Sequence, residues 1–358
     1  MESFKNVYSQ TFIEQFAGRM ERISARFDGR RFVALVLDEG WEQKEFKQRI
    51  RHITHALTAA LPASYGEALD MLLAAAPQCR GVEYLFFPDF VEVNGLDEWD
   101  RSIDALERLT PFSSSEFDVR PFIRRDQERM MVQMAQWARH DSEHVRRLAS
   151  EGCRPRLPWA QALDAFKADP APIVPILEAL KEDESLYVRK SVANNLNDMA
   201  KDHPSLVLKL AAGWYGKHPH TDWIVRHGCR TLLKQAHPDA LRLFGLGDSG
   251  GIEVLSVELT RTSVNVGEEL PFTVRLHNGS GGPRKLRVEY EIGYRKANGR
   301  LAPKRFKLSE RIYDPGTSVV TGKQSFKPLT TRRHYPGTHR LAIIVNGEEK
   351  AAQTFGLI

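Results

Sequence analysis

With 358 residues, 42% of them hydrophobic and 27% charged, the chain can bury the cores of two globular domains. No run of about 18 apolar residues occurs, which excludes a transmembrane helix, and the first twenty residues lack the basic-then-apolar layout of a signal peptide. The three cysteines, Cys79, Cys153 and Cys229, are odd in number and far apart, which argues against a disulfide framework or a zinc site and for a reducing cytoplasm. The net charge of +5 is unevenly spread: from Ile252 onward 18 Lys and Arg face 10 Asp and Glu, whereas residues 1–251 hold 33 against 36. A basic segment joined to a near-neutral one suggests an anionic partner, nucleic acid being the commonest, although a basic surface also serves solubility alone.

The first 250 residues read as helices. Phe12, Phe16 and Ile23 mark one apolar face. Phe46, Ile50, Ile53 and Leu57 mark a second, which Pro62 ends. A weak repeat follows. Asp141, Asp183 and Asp222 each stand shortly before a Val-Arg pair, at Val145-Arg146, Val188-Arg189 and Val225-Arg226, and each pair opens a helix. The expected helices run to Gly152, to His203-Pro204 and to His237-Pro238. Spacings near 40 residues resemble those of HEAT repeats, stacked helix pairs in which the valine faces the shared core. The acidic residue is placed to cap the second helix of each pair, and the default role of the arginine is an ion-pair ladder to the next repeat.

Near Leu246-Gly-Asp-Ser-Gly-Gly251 the pattern changes. Alternating runs at Ile252–Val266, Phe272–His277, Leu286–Tyr294 and His339–Val345 read as strands. Asn278-Gly279, Asn298-Gly299, Pro315-Gly316 and Asn346-Gly347 read as turns between strands. About a hundred residues of this kind fit a seven-stranded immunoglobulin-like sandwich without its disulfide. The expected architecture is a multidomain α and β chain: an α-helical HEAT-like solenoid over residues 1–250, then an all-β immunoglobulin-like sandwich over 251–358.

Two stretches stand out chemically. Gly152, Pro155 and Pro158 stop a helix and leave Arg154, Arg156 and Trp159 on a stiff loop beside Arg146, Arg147 and Glu151. Arginines with an exposed aromatic suit nucleic acid, and a solvated helix end explains the charges equally simply. In Ser113-Ser-Ser-Glu-Phe-Asp-Val-Arg-Pro-Phe122, the spacing favours Glu116 as part of a capping box. Asp198, in Asn194-Asn-Leu-Asn-Asp198, reads by position as solvent-exposed or paired with an arginine.

Glu116-Phe117 with Arg120-Pro121-Phe122, Val145 to Gly152, Arg154-Pro-Arg-Leu-Pro-Trp159, Tyr187 to Asp198, and Arg49-Ile-Arg-His-Ile53 together resemble the AlkC-type DNA alkylation repair glycosylases, HEAT-like repeat enzymes of which part carry a C-terminal immunoglobulin-like domain. The resemblance implies a monofunctional N-glycosylase of base excision repair. Its substrates would be cationic N3-methylated bases, 3-methyladenine and 3-methylcytosine, in double-stranded DNA, cleaved without drawing the base into a pocket. A methylated cationic base is already a good leaving group, so the protein must add negative charge near C1′, a positioned water and a water-poor surface.

Carried over by motif, Glu116, Glu151 and Asp198 become the carboxylates, with Glu151 and Asp198 facing sugar and water, Glu116 supporting them and Trp159 beside the sugar–phosphate backbone. Arg147, Arg154 and Arg189 would hold phosphates, with Arg156, Lys190, Arg226 and Trp223 extending the track; Trp223 also fits a core position. The sandwich would clamp DNA through Arg332 and Arg333, and through Arg295, Lys296 and Arg300. One continuous active surface makes a monomer the default, and a bacterial-type cytosol, associated with the nucleoid, is the expected setting. No metal, cofactor or membrane partner is expected: His52 and His55 lack a third ligand, and no glycine-rich phosphate loop or nucleophile triad occurs. The competing readings are a HEAT scaffold for protein partners and a DNA-binding accessory without catalysis.

Overall fold

The computed structural model describes residues 4–328 and 333–358. It contains α-helices up to Leu243 and strands from Ile252 onward. The chain forms two compact units, one reaching Val207 and including Gly213–Gly228, the other made of Leu208–Ala212 with Cys229–Ile358. The change from helix to strand falls at Ile252, while residues from Cys229 pack with the strands. No helix among the described residues is long and apolar enough to cross a membrane.

In the first unit, local chemistry starts the helices. Ser9 caps Gln10–Ile23 by accepting the Phe12 N–H at 3.2 Å, and Ile13, Phe16, Ala17 and Met20 line its buried face. Glu45 and Gln48 form a capping box that opens Phe46–Ala60, which buries Ile50, Ile53 and Leu57 as their spacing predicts and ends before Pro62. Tyr8, Phe16, Phe32, Phe86 and Phe87 fill the core between these helices and Phe86–Asn94.

The Val-Arg repeat shows the expected arginine rung between Arg146 and Asp183 but not the expected aspartate caps. Ser142 and Ser185, not the aspartates, hold the N-cap positions of Glu143–Gly152 and Leu186–Met199. Arg146 and Arg189 each fold back onto two carbonyls of their own preceding loop, His140 and Asp141 for one, Asp183 and Glu184 for the other. Asp183 is thereby free to receive Arg146, at 2.7 Å, as a rung between repeats. Val145, Val188 and Val225 are buried. The first helix ends at Gly152 as expected. The second ends at Met199, before His203-Pro204, and the third stops at Gly228. A Cβ at Gly228 would lie 2.9 Å from Leu196 Cβ, so close packing of the two helices requires glycine there.

In the second unit the strands are β1 Ile252–Leu259, β2 Ser263–Val264, β3 Glu269–Asn278, β4 Arg284–Arg295, β5 Leu301–Tyr313, β6 Gly316–Ser325, β7 Gly337–Val345 and β8 Glu348–Leu357. One sheet runs β1-β3-β6, the other β2-β8-β7-β4-β5. Phe272, Val274, Leu286, Ile292, Leu341, Ile343 and Phe326 fill the core. Asn346 and Gly347 both have positive φ, 48° and 88°, the conformation a two-residue hairpin turn demands between β7 and β8. Among the described residues eight strands stand where seven were expected. β5 and β6 form sheet edges, where Lys304, Arg305, Lys307, Arg311 and Lys323 interrupt the apolar residues, Phe306, Leu308 and Ile312 in β5 and Val319 and Val320 in β6. The Arg230–Lys234 and Pro238–Leu243 helices lie against this sandwich. Asn346 donates to the Gly247 carbonyl at 2.9 Å, and Arg305 to that of Lys234 at 2.8 Å.

Candidate functional site

The Glu143–Gly152 and Leu186–Met199 helices pack side by side through small polar residues. Ser150 Oγ and Ser191 Oγ lie 2.5 Å apart, and the Asn195 amide donates to the Ser150 carbonyl at 2.8 Å. On the first helix and its exit, Arg147, Glu151 and Arg154 recur at i, i+4 and i+7 and share one face. On the second, Tyr187, Ser191, Asn195 and Asp198 do the same. Packing brings these two faces together with the 114–117 segment.

The result is a chain of alternating charge. Glu116 Oε2 accepts from Arg147 Nη1 at 2.6 Å and from Ser114 Oγ at 2.8 Å. Arg147 Nη2 lies 3.7 Å from Glu151 Oε1. That same oxygen accepts from Arg154 Nη1 at 2.6 Å, and Glu151 Oε2 accepts from Ser191 Oγ at 2.6 Å. Arg154 Nε donates onward to Asp198 Oδ2 at 2.9 Å, and Lys201 closes the chain on Asp198 Oδ1 at 3.1 Å. Burial works against the charge on Arg147 and Arg154, but Glu116 and Glu151 around the first, and Glu151 and Asp198 around the second, outweigh it and hold both guanidinium groups above the ordinary arginine range. The Arg147 guanidinium also lies 4.6 Å from the centroid of the Tyr187 ring.

This network opens on a cleft of about 480 Å³ whose lining includes Glu116, Glu151, Arg154, Phe117, Trp159 and Tyr187. Asp198, 2% exposed, stands behind Arg154 and not in the lining. Glu116 caps no helix; its carboxylate is turned to Arg147, because Ser114 and the guanidinium offer two donors at once. Arg154, expected on an exposed loop, is buried between two carboxylates.

Trp159 is 63% exposed and stands at φ 64°, a left-handed conformation unfavourable for a bulky residue. The surrounding loop is held by its carbonyls. Arg120 donates to those of Gly152 and Arg154, each at 2.9 Å, and of Gln161 at 2.7 Å. Lys47 donates to that of Trp159 at 2.7 Å. Burial pulls Arg120 down to about 10, which leaves it charged at neutral pH.

The other candidate residues stand apart from this cluster. Arg156 makes a forked pair with Asp202, with contacts at 2.6 and 3.2 Å. Arg189 is held by its own loop, and Lys190 is exposed. Trp223 is half-exposed and stacks on His227 at 5.1 Å, while Arg226 is half-buried. In the second unit Arg333 is exposed over the Tyr335 ring, and Arg332 lies outside the described residues. Sequence reasoning assigned no role to Ser114, Arg120, Tyr187, Ser191 or Lys47. The spacing of Tyr187, Ser191 and Asp198 on one helical face was an available signal; the contacts of Lys47 and Arg120 cross 32 to 112 positions and left none.

Residues 112–232 match the family model described as a DNA alkylation repair enzyme, and residues 253–358 match the C-terminal Ig-like domain of uncharacterised protein YhaZ. The chain is 46% identical over 356 residues to the uncharacterized protein YhaZ of Bacillus subtilis strain 168, covering 99% of each chain. It is also similar to the Pseudomonas fluorescens alkylpurine DNA glycosylase AlkC, solved bound to DNA containing an abasic site analog. There the identity is 38%, the coverage 100% of both chains and the TM-score 0.96.

Proposed function

This chain belongs to the AlkC-type family of DNA alkylation repair glycosylases, and from that premise we propose that it hydrolyses the N-glycosidic bond of cationic N3-methylated bases, 3-methyladenine and 3-methylcytosine, in duplex DNA. The observation that carries the reading is the cleft in which two carboxylates, Glu116 and Glu151, face the same space as the exposed Trp159.

The chemistry follows from charge. The C1′–N bond breaks with its electron pair going to the base, which neutralises the methylated ring. The deoxyribose is left with oxocarbenium character, which the carboxylates stabilise across a space with aromatic walls. Glu151 is held at both oxygens, by Arg154 and by Ser191, so its orientation costs nothing at the moment of reaction. A water then adds to C1′ and passes its proton to a carboxylate, leaving an abasic site and an unbroken strand. Asp198 acts one step back: its charge fixes Arg154, and Arg154 fixes Glu151. Trp159 lies against the sugar–phosphate backbone, and attack from the cleft leaves the base outside any pocket.

Arg147 takes up a phosphate beside the lesion, with Arg156, Arg189, Lys190 and Arg226 along the flanking track, while the buried Arg154 serves Glu151 instead. The sandwich, with Arg333 and its basic turns, grips the duplex as a second element. The protein works as a monomer in the cytosol.

The test is incubation of the full chain with methylated duplex DNA. Free 3-methyladenine or 3-methylcytosine with an alkali-labile but uncut strand is the expected product. Strand cleavage without alkali would replace hydrolysis by lyase chemistry, and DNA binding without base release would make the chain a repair accessory.

A further inference from the structure

Across Phe117 and Trp159 from the cleft lies a second cavity, of about 390 Å³, lined by Lys47, Arg51, Asp89, Glu92, Asp118 and Arg124 among others. Oxygens of Asp89, Glu92 and Asp118 come within 4.8 Å of one another there. The catalytic reading uses none of these groups.

Acidic clusters are common, so charge alone decides nothing. What sets this one apart is Asp118. Its side chain is 2% exposed, it lines the cavity, and its Oδ2 finds no hydrogen-bond partner among the described residues. Asp89, 7% exposed, also has an Oδ2 without a partner. A buried carboxylate oxygen without a donor is unfavourable, and a ligand or a proton must relieve it.

The cations nearby do not relieve it. Arg51 bonds Asp89 at 2.9 Å and Glu92 at 2.6 Å, and neither contact reaches Asp118. The Lys47 ammonium sits 4.3 Å from the Phe117 ring centroid and is bonded to the Trp159 carbonyl. Arg124 is bonded to Gln161 and Ala162, and Arg120 to three carbonyls. Three carboxylates thus face one guanidinium that bonds to them.

We propose that Asp89, Glu92 and Asp118 form a site for one hard divalent cation, Mg²⁺ or Mn²⁺ in class. The donors are all carboxylate oxygens, which select such ions over softer ones. Oxygens ligating one ion at about 2.0–2.6 Å fall within the separation seen here. The site joins Phe46–Ala60, Phe86–Asn94 and the segment that carries Glu116 and Phe117. The bound ion therefore stiffens the wall that the cleft shares, without touching the reacting atoms.

The experiment is titration of the metal-free full chain with Mn²⁺, followed by the electron paramagnetic resonance signal of the free ion. The wild type is expected to bind one Mn²⁺ saturably, to release it to Mg²⁺ and to melt higher when loaded. Asp118→Asn and Glu92→Gln should each bind at least about tenfold more weakly. Metal-free Asp118→Asn should melt no lower than wild type, because it removes a repelled charge. If Asp118→Asn does not fold, Glu92→Gln, at a half-buried position, carries the comparison. A wild type that leaves the Mn²⁺ signal unchanged overturns the site and makes Asp118 a protonated acid. Variants that bind as tightly as wild type overturn it equally.

Discussion

Each unit holds a buried ion network among its described residues, and these two differ in what they face. In the sandwich, Arg287 donates to Glu289 at 2.6 Å and to Glu310 at 3.0 Å, and the side chains of all three are under a tenth exposed. In the helical unit, Glu116, Arg147, Glu151, Arg154 and Asp198 alternate over similar distances. The first is closed by strands. The second opens at Glu116 and Glu151 onto a cleft with Trp159 and Tyr187. Charge pairing alone marks no function; a paired charge that also faces a cavity does. Removing one member should therefore cost stability in both places and chemistry in only one.

The largest expected effect on folding is at the closed network. Arg287→Met leaves Glu289 and Glu310 buried without their shared cation and should destabilise by about 3–5 kcal/mol, read from denaturant melts. Base release per folded molecule should not change. Arg154→Met removes the cation shared by Glu151 and Asp198 and should destabilise by a comparable amount, of order 3 kcal/mol. Here the rate of base release per folded molecule should fall as well, by about tenfold or more; an unchanged rate would put the two networks in one class. Trp159→Ala takes away an exposed ring, so stability should move by no more than about 0.5 kcal/mol. A several-fold loss of base release with an unchanged melting curve would separate the aromatic's function from its fold.

The smallest effect tests the sandwich alone. Burial pushes the His339 ring below its ordinary value of 6.5. The unfolded chain then binds more protons than the folded one, so stability rises with pH across that window. It is fully present above about 6.5 and is lost as pH falls below it, with a slope of at most about 1.4 kcal/mol per pH unit. His339→Gln should flatten this slope in melts between pH 5 and 8.

The comparison also explains what the sequence alone could show. Helix faces were legible where period and burial coincide, as at Ile50, Ile53 and Leu57. Repeats were legible because valine must be buried beside an arginine that closes its own loop. Hairpins were legible at Asn346-Gly347, where positive φ demands those residue types. The edge strands β5 and β6 were not, because charged residues break up the apolar pattern of β5 and only Val319 and Val320 are sizeable apolar residues in β6. At the site, Arg154 and Trp159 stand out as residue types on a proline-bounded loop, with Glu151 at the end of the helix before it. That Arg154 is buried, that Asp198 lies behind it, and that Ser191 orients Glu151 depend on contacts 40 to 44 positions apart. Local pattern is blind to these.

The central claim, that the open network performs the chemistry, is tested most directly by Glu151→Gln. The side chain keeps its size, so the variant should lose stability yet still fold at assay temperature and bind DNA within a few-fold of wild type, while the carboxylate charge is gone. Single-turnover release of 3-methyladenine from duplex DNA should then fall by about a hundredfold or more. Release at the wild-type rate by a variant that binds DNA normally would contradict the account.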